Sequence, residues 1–144
     1  MSQLDDALRL AVQAHAGQTD KAGQPYILHP LRLMMRMAIE AERLVAVLHD
    51  VVEDSPATLD DLRAAGFDEA VVEAVDRLTR RETESYDEFI ARIAPHDLAR
   101  RVKLADLQDN MDMTRLDALD ERAVERMQRY LRSWHVLRAA DGSG

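Results

Sequence analysis

Apolar residues recur every three or four positions along nearly the whole chain, and no stretch alternates as a half-buried strand would. A first helix carries Leu4, Leu8, Ala11, Val12 and His15 on one side, with Ser2 as its cap. The loop "AGQTDKAGQPY" follows, and Pro30 is expected to open a second helix at its first position, where a missing N–H costs little. The pattern predicts a third helix from about Glu40 to Asp54, ended by Pro56. Thr58 with Asp61 starts a short helix that Gly66 ends, and Asp68 caps the next, which runs to about Leu78. Ser85 and Glu88 form an S-x-x-E capping pattern for another. Asp97 begins a long helix through "DLARRVKLADLQDNM", and a last one spans about Asp120 to Ala140. About eight helices joined by short loops, without repeat or linker, predict an all-α helical bundle. Residues 1–140 are expected to form one domain, with 141–144 a frayed tail.

Composition narrows the possibilities. The 144 residues are 47% hydrophobic but include only two Phe and one Trp, so the core must be aliphatic. A formal net charge of -8 argues against nucleic-acid polymers or anionic lipid as partners. With no cysteine, any metal must be held by His and carboxylates. "MSQLDDALRL" lacks the features of a signal peptide, and no apolar run reaches membrane-span length, so a soluble cytoplasmic protein is the default expectation.

The stretch "LHDVVED", Leu48 to Asp54, sets four ionisable groups in an apolar helical run, with no Lys or Arg between Arg43 and Arg63. On a helix, His49, Asp50, Glu53 and Asp54 fall within an arc of about 140°. A solvated acidic face would explain that arc equally well. Two features favour a metal site. Three acids at a helix C-terminus oppose the macrodipole, and adjacent His and Asp with further acids one turn on suit a divalent cation. One helix cannot close such a site. His29 in "PYILHP" and Asp106 in "VKLADLQDNM", with Lys103 and Asn110 on the same side, are candidate partners. His15, His96 and His135 have no comparable company and read as structural or exposed.

Together, "AHAGQTDKAGQPYILHP", "LHDVVEDSPATLDDL" and "VKLADLQDNM" resemble the hydrolase domain of RelA/SpoT proteins, part of the HD phosphohydrolase superfamily. The resemblance covers about residues 7 to 115. At this length it looks like a stand-alone small alarmone hydrolase of the metazoan SpoT type. It implies an all-helical bundle and a guanosine-3′,5′-bis(diphosphate) 3′-pyrophosphohydrolase-like activity, which releases pyrophosphate from ppGpp or pppGpp and leaves GDP or GTP. Carried over residue by residue, it implies one ion, usually manganese, held by His29, His49, Asp50 and Asp106. Glu53 and Asp54 would be catalytic, orienting the attacking water or transferring a proton. It also implies that Lys21, Tyr26 and Asn110 serve the small nucleotide substrate; Lys103, on the same helix side as Asp106 and Asn110, is expected to bind it too, and Arg77, Arg80 or Arg81 could add positive charge.

Two positions depart from the family pattern. The loop usually reads R-K where this chain has Asp20-Lys21, and Arg usually follows "NM" where this chain has Asp112. The chemistry is therefore better specified than the nucleotide, and the loop change is expected to shift nucleotide preference. Rival readings are the same site acting on an adenosine alarmone or the 2′-phosphate of NADPH, or a non-catalytic, antitoxin-like nucleotide-binding module. Oligomeric state is left open.

Overall fold

The local signals resolve into helices almost where the periodicity sets them, and two capping boxes form as written. The computed structural model describes residues 3–141. The Ser2 cap and residues 142–144 of the expected tail lie outside the described residues. The helices are α1 (Gln3–Ala14), α2 (Leu28–Arg36), α3 (Glu40–Leu48), α4 (Val51–Asp54) and α5 (Leu59–Ala64). Then come α6 (Glu69–Arg77), α7 (Tyr86–Ile93), α8 (Asp97–Asn110), a 3-10 turn η1 (Met113–Arg115) and α9 (Glu121–Ala140). Among the described residues there is no strand beyond a single bridge, Thr19 with Pro25. No described helix is long and apolar enough to cross a membrane.

Thr58–Asp61 and Ser85–Glu88 each make both hydrogen bonds of a capping box, fixing the starts of α5 and α7. Gly66, at φ +94°, ends α5. Its N–H reaches Arg63 O and that of Phe67 reaches Leu62 O, a Schellman closure that needs the left-handed backbone glycine adopts freely. Asp68 stands at the N-cap of α6 but makes no side-chain cap bond. Pro30 is the third residue of α2 rather than the first. It still lies within the first turn, where N–H groups have no intrahelical acceptor.

Helix α3 is the hub. It packs against α1, α2, α6 and α8. Val45, Ala46, Val47 and Leu48 are all completely buried. A helix apolar on every side is one surrounded by others, which explains why this segment shows no clean polar face before His49. The expected single helix from Glu40 to Asp54 is in fact two. The chain turns at His49–Asp50, with Asp50 at φ -106°, ψ 0°, before α4 resumes. The imidazole supplies a local reason: His49 Nδ1 donates to Ala46 O at 2.7 Å, closing the last turn of α3 with a side chain.

Candidate metal centre and adjoining pocket

The turn after α3 places His49 and Asp50 at the end of the most buried helix. His49 is 3% exposed, and its Nε2 lies 2.9 Å from Asp50 Oδ2. From the start of α2, His29 comes alongside with ring centroids 5.4 Å apart. From α8, Asp106 Oδ1 sits 2.8 Å from His29 Nε2 and 3.5 Å from His49 Nε2. One ligand atom from each of His29, His49 and Asp50 lies within 4.8 Å of the others, the grouping of a possible His/Asp metal site. The four residues expected to share an ion are thus brought together from three helices.

The donor set fits a divalent cation. Because His49 Nδ1–H is spent on Ala46 O, the neutral imidazole would present its buried Nε2 lone pair to a cation at the point where Asp50 Oδ2 and Asp106 Oδ1 also converge. His29 is oriented in the same way: its Nδ1 is 2.6 Å from Asp109 Oδ2, leaving Nε2 toward the cluster. Electrostatics point in the same direction. Burial would lower both imidazoles, but the neighbouring carboxylates outweigh it and raise them. Burial would raise Asp50 and Asp106, but His49 beside the first and Lys103 beside the second hold both carboxyls below the usual range. The cluster draws positive charge onto itself.

Lys103 departs from its expected place. It is buried, donates to Asp106 Oδ2 at 2.7 Å and lies against the rings of Phe89 and Tyr86. It balances Asp106 rather than lining the pocket below. Tyr26 does line that pocket, but its hydroxyl donates to Asp50 Oδ2. Burial first, and then the charge of Asp50, raise the Tyr26 hydroxyl far above its ordinary value, so it remains a donor. Asn110 Nδ2 is 3.4 Å from Asp106 Oδ1. His15, which sequence set aside, is 2% exposed and packs on the Tyr26 ring at 4.8 Å. His96 caps α8 by accepting from Ala99 N, and His135 is exposed on α9.

Glu53 and Asp54 lie on α4, one turn past His49 and Asp50, and are exposed. Glu53 Oε1 accepts from Arg80 N at 3.1 Å. Gln18 Nε2 donates to Asp54 O at 3.0 Å, tying α4 to the first loop. Partial burial of their carboxyls raises both above the ordinary carboxylate range, and the charge of Asp50 adds to the effect.

Asp109 went unrecognised in the sequence. It is 1% exposed and holds His29 on one side and Arg32 on the other, with Arg32 Nε at 2.8 Å and Nη2 at 3.0 Å. Burial would raise its carboxyl, but His29 and Arg32 lower it strongly. The available signal was its spacing: three residues after Asp106, it shares that helical face.

A cavity of about 430 Å³ opens beside the cluster, lined by Lys21, Tyr26, His29, Asn110, Arg115 and Tyr130 among others. Asp20, Asp112 and Arg126 also face it. Arg77, Arg80 and Arg81 do not. Their side chains donate to Arg92 O, Glu84 O and the Asp76–Thr79 segment, bracing the α6–α7 connection.

No family model matches the chain. The bifunctional (p)ppGpp synthase/hydrolase SpoT of Escherichia coli is 32% identical over 126 residues, 77% of this chain and 18% of that protein. A guanosine-3′,5′-bis(diphosphate) 3′-pyrophosphohydrolase of Aquifex aeolicus is 29% identical over 76% of this chain and 17% of its own length. A GTP pyrophosphokinase of Streptomyces coelicolor is 29% identical over 95% of this chain and 18% of its own length. The chain therefore spans less than a fifth of the length of these relatives. Among solved structures, a metazoan orthologue of SpoT described as hydrolysing ppGpp superposes with a TM-score of 0.77. That match covers 99% of this chain and 87% of the other at 21% identity, and it shows a shared fold. By shared sequence with SpoT and by shared fold with its metazoan orthologue, this all-α chain is a relative of the RelA/SpoT-type HD-domain proteins.

Proposed function

We propose that this chain is a metal-dependent phosphohydrolase that removes the 3′-pyrophosphate of guanosine alarmones, converting ppGpp or pppGpp to GDP or GTP plus pyrophosphate. Residues 1–140 would act as one domain, with 141–144 as a tail. The observation that carries the reading is the convergence of His29, His49, Asp50 and Asp106, whose imidazole and carboxylate ligand atoms meet at one buried point. These four would hold one divalent ion. Imidazole and carboxylate suit Mn²⁺, the metal proposed here. When bound, the ion supplies charge neutralisation at the phosphorus centre and a more acidic water.

The rest of the reaction falls to the chain's own residues. Water adds to the phosphorus that bears the ribose 3′ oxygen. The bond between them breaks, the water loses a proton, and the 3′ oxygen gains one. Glu53 and Asp54 are the groups proposed to move these protons, Glu53 orienting the water. Carboxyls raised above their ordinary range give and take protons more readily near neutral pH. Tyr26 would steady Asp50 through its hydroxyl while its ring borders the substrate. Lys103 would keep Asp106 ionised, and Lys21 and Asn110 would contact the nucleotide.

A substrate panel tests the proposal. Purified protein with manganese is offered guanosine and adenosine 3′-pyrophosphates and NADPH, and products are resolved by chromatography. GDP plus pyrophosphate from ppGpp is the expected result. Inorganic phosphate from NADPH with ppGpp untouched would replace this substrate with the other.

A further inference from the structure

The pocket wall holds two acids, Asp20 and Asp112, where a polyphosphate would be repelled. Neither carboxylate is offered freely. Asp20 Oδ1 accepts from Ala22 N and Gln24 N, both at 2.9 Å, and so closes the turn that carries Lys21. Its Oδ2 is buried, has no hydrogen-bond partner, and lies 3.8 Å from Arg115 Nη1. Asp112 Oδ1 accepts from Thr114 N at 3.1 Å and from the Thr114 hydroxyl. That cap sets the start of η1, the 3-10 turn whose last residue is Arg115. Both acids therefore bear on one arginine.

Arg115 itself is held from a third side. Its Nη2 donates to Asp109 O at 2.5 Å and lies 3.6 Å from Asp109 Oδ2, the carboxylate that also orients His29. Its Nε is buried without a partner, while the side chain as a whole is 27% exposed and faces the cavity. A guanidinium fixed at several points while still open to a pocket is suited to an anionic oxygen, because little rotamer freedom remains to be lost on binding. The metal centre serves the phosphate that reacts. Phosphates that do not react need donors from the protein.

We propose that Arg115 binds the 5′-diphosphate of the nucleotide, and that Asp20 and Asp112 are positioning residues that aim it. The inference rests on the nucleotide reading of the pocket. It also accounts for two acids in a site for an anion: they orient one cation instead of facing the ligand.

The test is binding of GDP and of guanosine to the manganese-loaded protein, by calorimetry. A charge-assisted hydrogen bond of ordinary strength makes Arg115→Gln weaken GDP about tenfold to a hundredfold. Guanosine, with no phosphate, should change less than twofold. Asp20→Asn and Asp112→Asn should each weaken GDP severalfold with the same indifference to guanosine, a split that a loss of folding would not produce. Arg115→Lys, which keeps a cation without the fork, should fall between wild type and Arg115→Gln. Equal weakening of GDP and guanosine, unchanged GDP affinity in Arg115→Gln, or no GDP binding by the wild type overturns the inference. The proposed reaction is read separately, from ppGpp turnover by the wild type. Tight GDP binding that depends on Arg115, without turnover, would sink the reaction and leave this site standing.

Discussion

Nδ1 of His29 lies 2.6 Å from Oδ2 of Asp109, across 80 residues of chain, and both groups are buried. This contact fixes the ring's orientation and leaves Nε2 turned toward His49 and Asp106. A carboxylate behind a ligating imidazole raises its basicity and holds its tautomer. Asp109→Asn should therefore lower manganese affinity about tenfold to a hundredfold, as read by competition with a chromophoric chelator. Wild-type affinity in that variant would show that the contact is merely structural.

Asp106 faces both imidazoles and Lys103. Asp106→Ala should lose the ion, with elemental analysis of the purified protein as the measure. If its metal content equals that of the wild type, the four-residue ligand set is wrong.

Glu53 and Asp54 stand outside that set, one helical turn on. Glu53→Gln and Asp54→Asn should retain manganese while turnover falls by about 10²–10⁴-fold, the usual contribution of a general acid or base. Near-wild-type rates in both variants at saturating manganese would remove the pair from the chemistry.

The imidazoles give a pH signature. His29 and His49 are raised above their ordinary value by the carboxylates around them. A raised group adds stability that is fully present below its unfolded value, near 6.5, and lost as pH rises through its folded value. Metal-free protein should thus lose thermal stability as pH rises from about 6.5 through those folded values. Manganese-loaded protein should lack this decline, because ligating imidazoles are neutral. Metal binding near pH 7 should also release protons, measurable by titration in buffers of different ionisation enthalpy. Absence of proton release would contradict ligation by these histidines.

Leu48 is fully buried and directly precedes His49. Leu48→Ala should cost about 2–5 kcal/mol by urea denaturation and should weaken metal binding as the end of α3 loosens. A cost under about 1 kcal/mol would mean that α3 is not the hub of the core.

Much of this protein was determined locally. Both capping boxes and the Gly66 closure join groups no more than five residues apart. Such contacts depend on neighbouring residue types and little else, so the helices and most of their ends could be read from the chain. The ligand-type residues were legible for another reason: acids and a histidine in an apolar run break a pattern that packing alone would keep.

Tertiary structure decided what lies between helices. Asp109 looks like any acid on α8 until α2 docks His29 and Arg32 against it. Lys103 reads as a pocket cation until burial pairs it with Asp106. The turn at His49–Asp50 interrupts a periodicity that by itself continues to Asp54. Arg115 had no distinguishing neighbour in sequence, yet it meets Asp20 from 95 residues away. Period and propensity register contacts within a turn or two of helix. Which carboxylate meets which cation across the bundle is set by the docking of helices on the buried surface of α3, and that information is spread over the whole core.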